Sequence, residues 1–460
     1  MAEDDPLAAA LKQIEKEIED LLSKRDNLLR RIRGATCPAL PPDVLLEVFH
    51  HLLNDDNDSK TIIYPSHVCR LWRRTAIGAP FLWTQLLIGT SEEGKDAATV
   101  AYAATCAQRA GGRLMFLTMV ERTTWPPKPS SKDFLLSILE ATRSCRWEKI
   151  CLSSGHTCDF GHLFGGCLDS EKVAEVHTFS LTNRDSEAHS KAGIINLQPY
   201  RALTSFTFDC RKQRNADILS VPWQQLTYLK LVTAMGTDQH LQFLRQCVNL
   251  ETCILKDESR SRPARHAPVH LLKLKRLEIL ETPDIIFDLH TPAIEELVLH
   301  SNSDDYGREE LWDYLSSIGS TLRKIELPGE MMWQFPSFFE SLEVLEELGI
   351  SGSLEGRWDD GFEDERMSHD QGVRVLLQDM LYSRPRLRTL ELKNQWCCPG
   401  EHIQDCLLQF VEDRIKRGKP TALERVTYRV DTHTKRRMEE IATRFENLRK
   451  GGTVTLDIES

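Results

Sequence analysis

A six-residue apolar pattern returns eleven times in this chain, and it constrains the fold more than any other feature. The pattern Leu-x-x-Leu-x-Leu, with other apolar residues accepted, begins at Trp147, Val176, Leu203, Leu226, Leu250, Leu274, Ile294, Leu322, Leu345, Leu387 and Leu423. LTSFTF, LTYLKL, LKRLEI, IEELVL, LRKIEL and LRTLEL are examples. Eight of the ten intervals run 20–29 residues, and the other two, of 42 and 36 residues, read as insertions. Self-similarity at this period marks a stacked array: one unit cannot bury its own apolar face, but its neighbours can bury it. The fourth and sixth residues of each hexad should point into the core. Those between and just after them should face the open side of a sheet, because a strand alternates its side chains. Helical stripes such as HLQFLRQCVNL and VRVLLQDMLYSRPRL lie between many of the strands. RLMFLTMV reads as a lead-in strand, GTVTLDIES as the last strand, and 433–449 as an amphipathic helix before it.

The tract 89–460 resembles a degenerate leucine-rich repeat solenoid. That resemblance implies an α/β solenoid with one sheet face left open to hold another protein. The family's Asn or Cys three residues past the last leucine is kept only at Asn302, so a regular asparagine ladder is not expected. The outward strand positions are Tyr228, Lys230, Thr252, Lys256, Arg276, Glu278, Glu296, His300, Lys324, Glu326, Glu391 and Lys393. Taken singly each fits a solvated strand face; as a set they are the expected substrate-contacting surface. The acidic stretch EGRWDDGFEDERMSHDQG falls inside the 42-residue interval and reads as a mobile loop.

Residues 38–88 form a different block. Pro41 and Pro42 suit a helix start, and Asp43 faces the positive end of the helix dipole. Val44, Leu45, Val48, Phe49 and Leu52 make one amphipathic stripe; Val68, Cys69, Leu71, Trp72 and Ala76 make a second, ended near Gly78 and Pro80. Helices in so short a block offer more apolar surface than they can bury among themselves, so the module should dock on a partner. Leu40-Pro41, the apolar helix from Val44 to Leu53, Val68-Cys69-Arg70-Leu71-Trp72 and Leu82-Trp83 together resemble the F-box, in order and at near-family spacing. The resemblance, which extends to fungal F-box-like proteins, implies binding to the small Skp adaptor of a cullin–RING ubiquitin ligase. Leu40, Pro41, Leu45, Val48, Phe49, Leu52, Val68, Cys69 and Trp72 are the adaptor contacts it implies, the last three partly as the module's own core. The connection from Asn54 to Lys60 is long and acidic, a departure from the family, and Pro65 shortens any middle helix. The acidic run lacks the glycine and distal glutamate of an EF-hand loop and reads as a solvated loop.

Ahead of this block, within 1–35, Leu7, Leu11, Ile14, Ile18, Leu21, Leu28 and Ile32 are spaced alternately by four and three, with Arg25 in the vacant slot. That is the seam of a coiled coil. Two readings stay open: self-association through this helix, which a seam arginine weakens, and packing of the helix on its own protein. Gly34 and Pro38 stop it.

Other chemistry finds little support. The 58 basic and 69 acidic residues leave a formal charge of −11, which argues against a nucleic-acid binder held by phosphate contacts. No apolar run is long enough for a membrane span, and the acidic start MAEDDPLAAA fits no secretory or transit signal. Thirteen cysteines without rhythm suit a reducing compartment, cytoplasmic or nuclear. GTSEEGKD at Gly89–Asp96 approaches a phosphate loop, but Asp96 stands where a hydroxyl is required. Cys151, His156, Cys158, His162 and Cys167 form no CxxC or HxxxH knuckle, and Cys397-Cys398 has no partner pair, so no metal or other cofactor is expected. The Asn57 sequon lacks a route to the glycosylating enzyme. The expected function is therefore that of a non-catalytic receptor, helices on the adaptor and repeats on a target protein. The rivals are an adaptor-independent interaction scaffold and, weakest, a nucleotide hydrolase using the Gly89 loop.

Overall fold

The computed structural model describes residues 6–34, 40–56, 58–89, 96–120, 131–154, 175–183, 195–211, 219–257, 267–280, 283–300, 308–328, 342–351, 386–393, 409, 425–429 and 455–459. The chain divides into two units, Met1–Trp83 and Thr84–Ser460. Among the described residues no helix is long and apolar enough to cross a membrane.

The first unit holds α1 (Pro6–Gly34), α2 (Pro42–Asp56), α3 (Ile63–Ser66) and α4 (Arg70–Ile77), with 3₁₀ turns at Ser59–Ile62 and Pro80–Trp83. α2 starts on Pro42, where a missing N–H is harmless, and the Leu45 N–H donates to the Pro41 carbonyl at 3.0 Å. Asn54, Asp55 and Asp56, expected in a solvated connection, instead complete the last turn of α2. Asp58 then caps the 3₁₀ turn, its carboxylate accepting from the Lys60 N–H at 3.0 Å. Pro65 sits in the single turn of α3, where its N–H would have no helical acceptor. α4 opens after Cys69 and closes at Gly78. The Trp83 indole N–H donates to the Ala76 carbonyl at 2.8 Å and ties the end of the module to α4. Leu45, Phe49, Leu53, Ile62, Leu82 and Trp83 make its core.

The second unit is an α/β structure built on one 14-stranded parallel sheet. Its strands are β1 (Gln85–Gly89), β2 (Leu114–Val120), β3 (Arg146–Ser154), β4 (Thr178–Asn183), β6 (Ser205–Cys210), β8 (Tyr228–Thr233), β9 (Thr252–Asp257), β11 (Arg276–Ile279), β13 (Glu296–Leu299), β14 (Lys324–Pro328), β15 (Glu347–Ser351), β16 (Thr389–Lys393), β17 (Arg425–Arg429) and β18 (Thr455–Glu459). They stand side by side in this order, each hydrogen-bonded to the next. Two-residue strands β5 (Ile195–Asn196) with β7 (Leu219–Ser220), and β10 (Val269–His270) with β12 (Leu289–His290), add two small ladders. The sheet starts at Gln85, so residues 85–88, read from sequence as the tail of the helical block, are its first strand. α5 (Asp96–Ala110) ends at Gly111 and Gly112, whose φ values of 60° and 79° make the turn into β2. α6 (Ser131–Ala141), α7 (Thr237–Leu244) and α8 (Arg308–Ile318) are further α-helices of this unit, with 3₁₀ turns at Trp223–Gln225 and Pro283–Asp288.

The hexads explain the register. From Trp147 to Leu345 the first, fourth and sixth residue of every hexad is buried. The fourth positions stand side by side across the sheet: Ile150, Phe179, Phe206, Leu229, Cys253, Leu277, Leu297, Ile325, Leu348 and Leu390. A one-residue slip would turn every one of them to the other face, so this row sets the pairing. The backbone repeats with it. The N–H groups of Lys275 and Arg276 both donate to the Glu251 carbonyl, at 2.8 and 3.0 Å, and those of Glu295 and Glu296 do the same to Lys275.

Candidate interaction surfaces

Two surfaces follow from these elements, one in each unit. On α2 the apolar residues occupy two adjacent stripes. Leu45, Phe49 and Leu53 point into the core, whereas Val44, Val48 and Leu52 stay 38–45% exposed. A helix packed on one side needs a single apolar stripe, so the second is surplus to the fold. Leu40 and Pro41 precede it and are exposed too. Two residues of the expected contact set, Leu45 and Phe49, are 0% exposed and serve the module's own packing. Trp72 is half-buried and meets Phe49 edge-to-face, ring centroids 5.6 Å apart. Val68 and Cys69 lie exposed at the start of α4. Val44 and Tyr64, both exposed, were absent from the expected set; spacing by four from Val44 through Val48 to Leu52 is the signal that marks Val44.

The open face of the sheet carries the second surface. Register places Tyr228, Thr252, Arg276, Glu296, Lys324, Glu347 and Thr389 in one row. Lys230, Ile254, Glu278, Val298, Glu326, Gly349 and Glu391 form the next. The charges are largely spent on each other. Arg276 meets Glu296 at 3.2 Å and Glu278 at 3.2 Å; Lys324 meets Glu296 at 3.2 Å and Glu347 at 3.5 Å. His300 lies 4.0 Å from both Glu278 and Glu326. Burial acts to lower the Lys324 pKa, and the Glu296 and Glu347 carboxylates outweigh it, holding the ammonium above its ordinary range. Burial raises the Tyr228 hydroxyl, with Glu278 adding to the shift.

Glu326 departs from the solvated strand face expected of it. It is only 5% exposed, and a Cβ built on Gly349 would lie 3.1 Å from its Cγ, so the missing side chain of Gly349 is the space its stem fills. Lys256 and Lys230 are half-buried on their strands, and the side chain of Lys393 lies outside the described residues. One further feature was not drawn from the sequence. The second and third hexad residues run Lys275-Arg276, Glu295-Glu296, Arg323-Lys324 and Glu346-Glu347 along four successive strands, alternating in sign. Those dipeptides stand inside LKRLEI, IEELVL, LRKIEL and LEELGI, and reading the repeats for charge as well as for leucine finds them.

Among the described residues no group of three or more His, Cys, Asp or Glu side chains is arranged to hold a metal ion. Cys151 sits in β3, while His156, Cys158, His162, Cys167, Cys397, Cys398, Asn302, Asn57, the acidic stretch after Gly352, helix 433–449 and the body of the Gly89 loop lie outside the described residues. No protein-family model matches this chain, and no curated protein matches it.

Proposed function

We propose that this protein is a substrate receptor of a cullin–RING ubiquitin ligase. In this reading the helical module is an F-box that binds the Skp adaptor, and the sheet belongs to a degenerate leucine-rich repeat solenoid that binds the target protein. The observation behind it is the surplus stripe of Val44, Val48 and Leu52 on a helix whose core-facing stripe is already complete. Exposed Leu40-Pro41 ahead of it, and a Trp72 held against Phe49, support the same reading. Sequential parallel pairing of 14 strands supports the repeat reading, since a stacked array adds each unit to the last. Such a receptor breaks no bond. It raises the effective concentration of target lysines near a ubiquitin-charged enzyme that the assembly supplies.

The test is a pull-down with purified Skp adaptor, comparing the wild type with Val44→Asp/Val48→Asp and with Leu40→Ala/Pro41→Ala. All four positions are exposed, so the variants keep the module's core. Each is expected to weaken capture by at least about tenfold, the loss from taking one or two apolar anchors out of a docked interface. A folded wild type that captures no adaptor would leave an adaptor-independent interaction scaffold as the working description.

A further inference from the structure

α1 is a 29-residue helix, about 43 Å long at the usual rise, and every residue from 11 to 28 on it is exposed. Its seam is included: Leu11, Ile14, Ile18, Leu21 and Leu28 are 52–64% exposed. Among the described residues this stretch is not covered by its own chain. A row of leucine and isoleucine left in water along three turns or more calls for a partner with the same periodicity.

The charge distribution selects that partner. Pro6–Asp20 holds four acids against two bases, and Leu21–Gly34 holds one acid against five bases. Two copies laid parallel would set acidic half on acidic half and basic half on basic half. They would also place Arg25 against its own counterpart in the seam, because equivalent seam positions face each other in a parallel pair. Laid antiparallel, the halves complement each other. The seam also closes without a gap: Leu11 of one copy faces Leu28 of the other, Ile14 faces Arg25, and Ile18 faces Leu21. Arg25 then lies among neutral neighbours and within reach of the other copy's acidic half. In the same register Glu17 of each copy flanks Lys24 of the other, giving two symmetric ion pairs. Lys24 now meets Asp20 of its own helix at 3.3 Å, an exposed pair that exchanges partners at little cost.

We infer that α1 joins two copies of this chain as an antiparallel coiled coil. This is independent of the adaptor reading, since α1 contributes none of the residues on which that reading rests. Sedimentation equilibrium of the full chain tests it. The wild type is expected at twice its 52.7 kDa mass, and Ile18→Asp/Leu21→Asp as a monomer with unchanged circular dichroism outside the helix contribution of α1. Glu17→Lys or Lys24→Glu alone should weaken the dimer by about tenfold, since each reversal turns two attractive pairs into repulsive ones. Combining the two restores the pairs with their signs exchanged and should restore the affinity. A wild type that stays monomeric at about 100 μM, a protein concentration well above a micromolar Kd, would overturn the inference. So would a dimer that the seam variant leaves intact. Single reversals without effect would overturn the antiparallel arrangement, because in a parallel pair Glu17 and Lys24 flank Leu22 and Leu29 rather than each other.

Discussion

The strands β4, β6 and β8 and the strands β11, β13, β14 and β15 share one buried row and differ on the other face. On the inner side Phe179, Phe206 and Leu229 continue into Leu277, Leu297, Ile325 and Leu348. On the open side the first group presents Thr178, Ser180, Ser205, Thr207, Tyr228 and Lys230, hydroxyls with a single cation, and the second presents Arg276, Glu278, Glu296, Lys324 and Glu326. The comparison separates two tasks. The apolar row holds strand to strand, and neither hydroxyls nor charges opposite it alter the pairing. The charged group adds an ion ladder in which Arg276, Glu278, Glu296 and Lys324 already pair with one another, so much of its charge serves cross-strand cohesion before any partner arrives.

The largest effect that could break this comparison lies in the shared row. Phe206→Ala in the hydroxyl half should cost about 3–5 kcal/mol, and Leu277→Ala in the charged half about 2–5 kcal/mol, both read by urea denaturation. A loss under about 1 kcal/mol at either site would mean that the row is not the common support. The next effect sits at the junction, where Cys253 on β9 is fully buried near Cys247. Burial pushes the Cys247 thiol from 9.0 up to about 12. In the unfolded chain the thiol ionises from about pH 9, while in the folded protein it stays protonated, so stability should fall as pH rises between 9 and about 12. Cys247 should contribute about 2 kcal/mol of that loss by pH 10.5, and Cys247→Ala should remove this share while leaving the part due to Cys253. Unchanged stability of the wild type across this range would show that the junction opens to water.

The smallest effect distinguishes the two faces themselves. Glu296→Gln removes the carboxylate that bridges Arg276 and Lys324 and should cost about 1 kcal/mol, whereas Thr207→Ala should stay within about 0.5 kcal/mol. Raising the salt to about 1 M, where charges are screened over about 3 Å, should shrink the first loss and leave the second alone. Equal losses at low salt would remove the distinction between a cohesive charged face and a passive hydroxyl face.

Much of this architecture was legible in advance because apolar periodicity reports which side of an element leaves water. The hexads located the described strands from β3 to β17 that stand in the main sheet, and the four-three spacing located α1. The stripe from Val44 to Leu53 marks the helix but not which half of it meets the module's core: Leu45 and Phe49 are buried, and Val44 and Val48 are exposed. Charge alternation between successive repeats was also visible, but only strand order turns it into ion pairs: residues about twenty positions apart become neighbours when parallel strands stack in sequence.

What the sequence by itself determined was periodicity: a strand every repeat, a heptad helix, and a helical block with more apolar surface than it could hide. The tertiary structure alone decided the side of each choice. It put Leu45 inside and Val44 outside, sank Glu326 over the bare Cα of Gly349, and spent the charges of Arg276, Glu296 and Lys324 on one another. The physical reason is that a pattern records local exposure along one element, whereas burial and charge pairing depend on neighbours that the chain brings together only by folding.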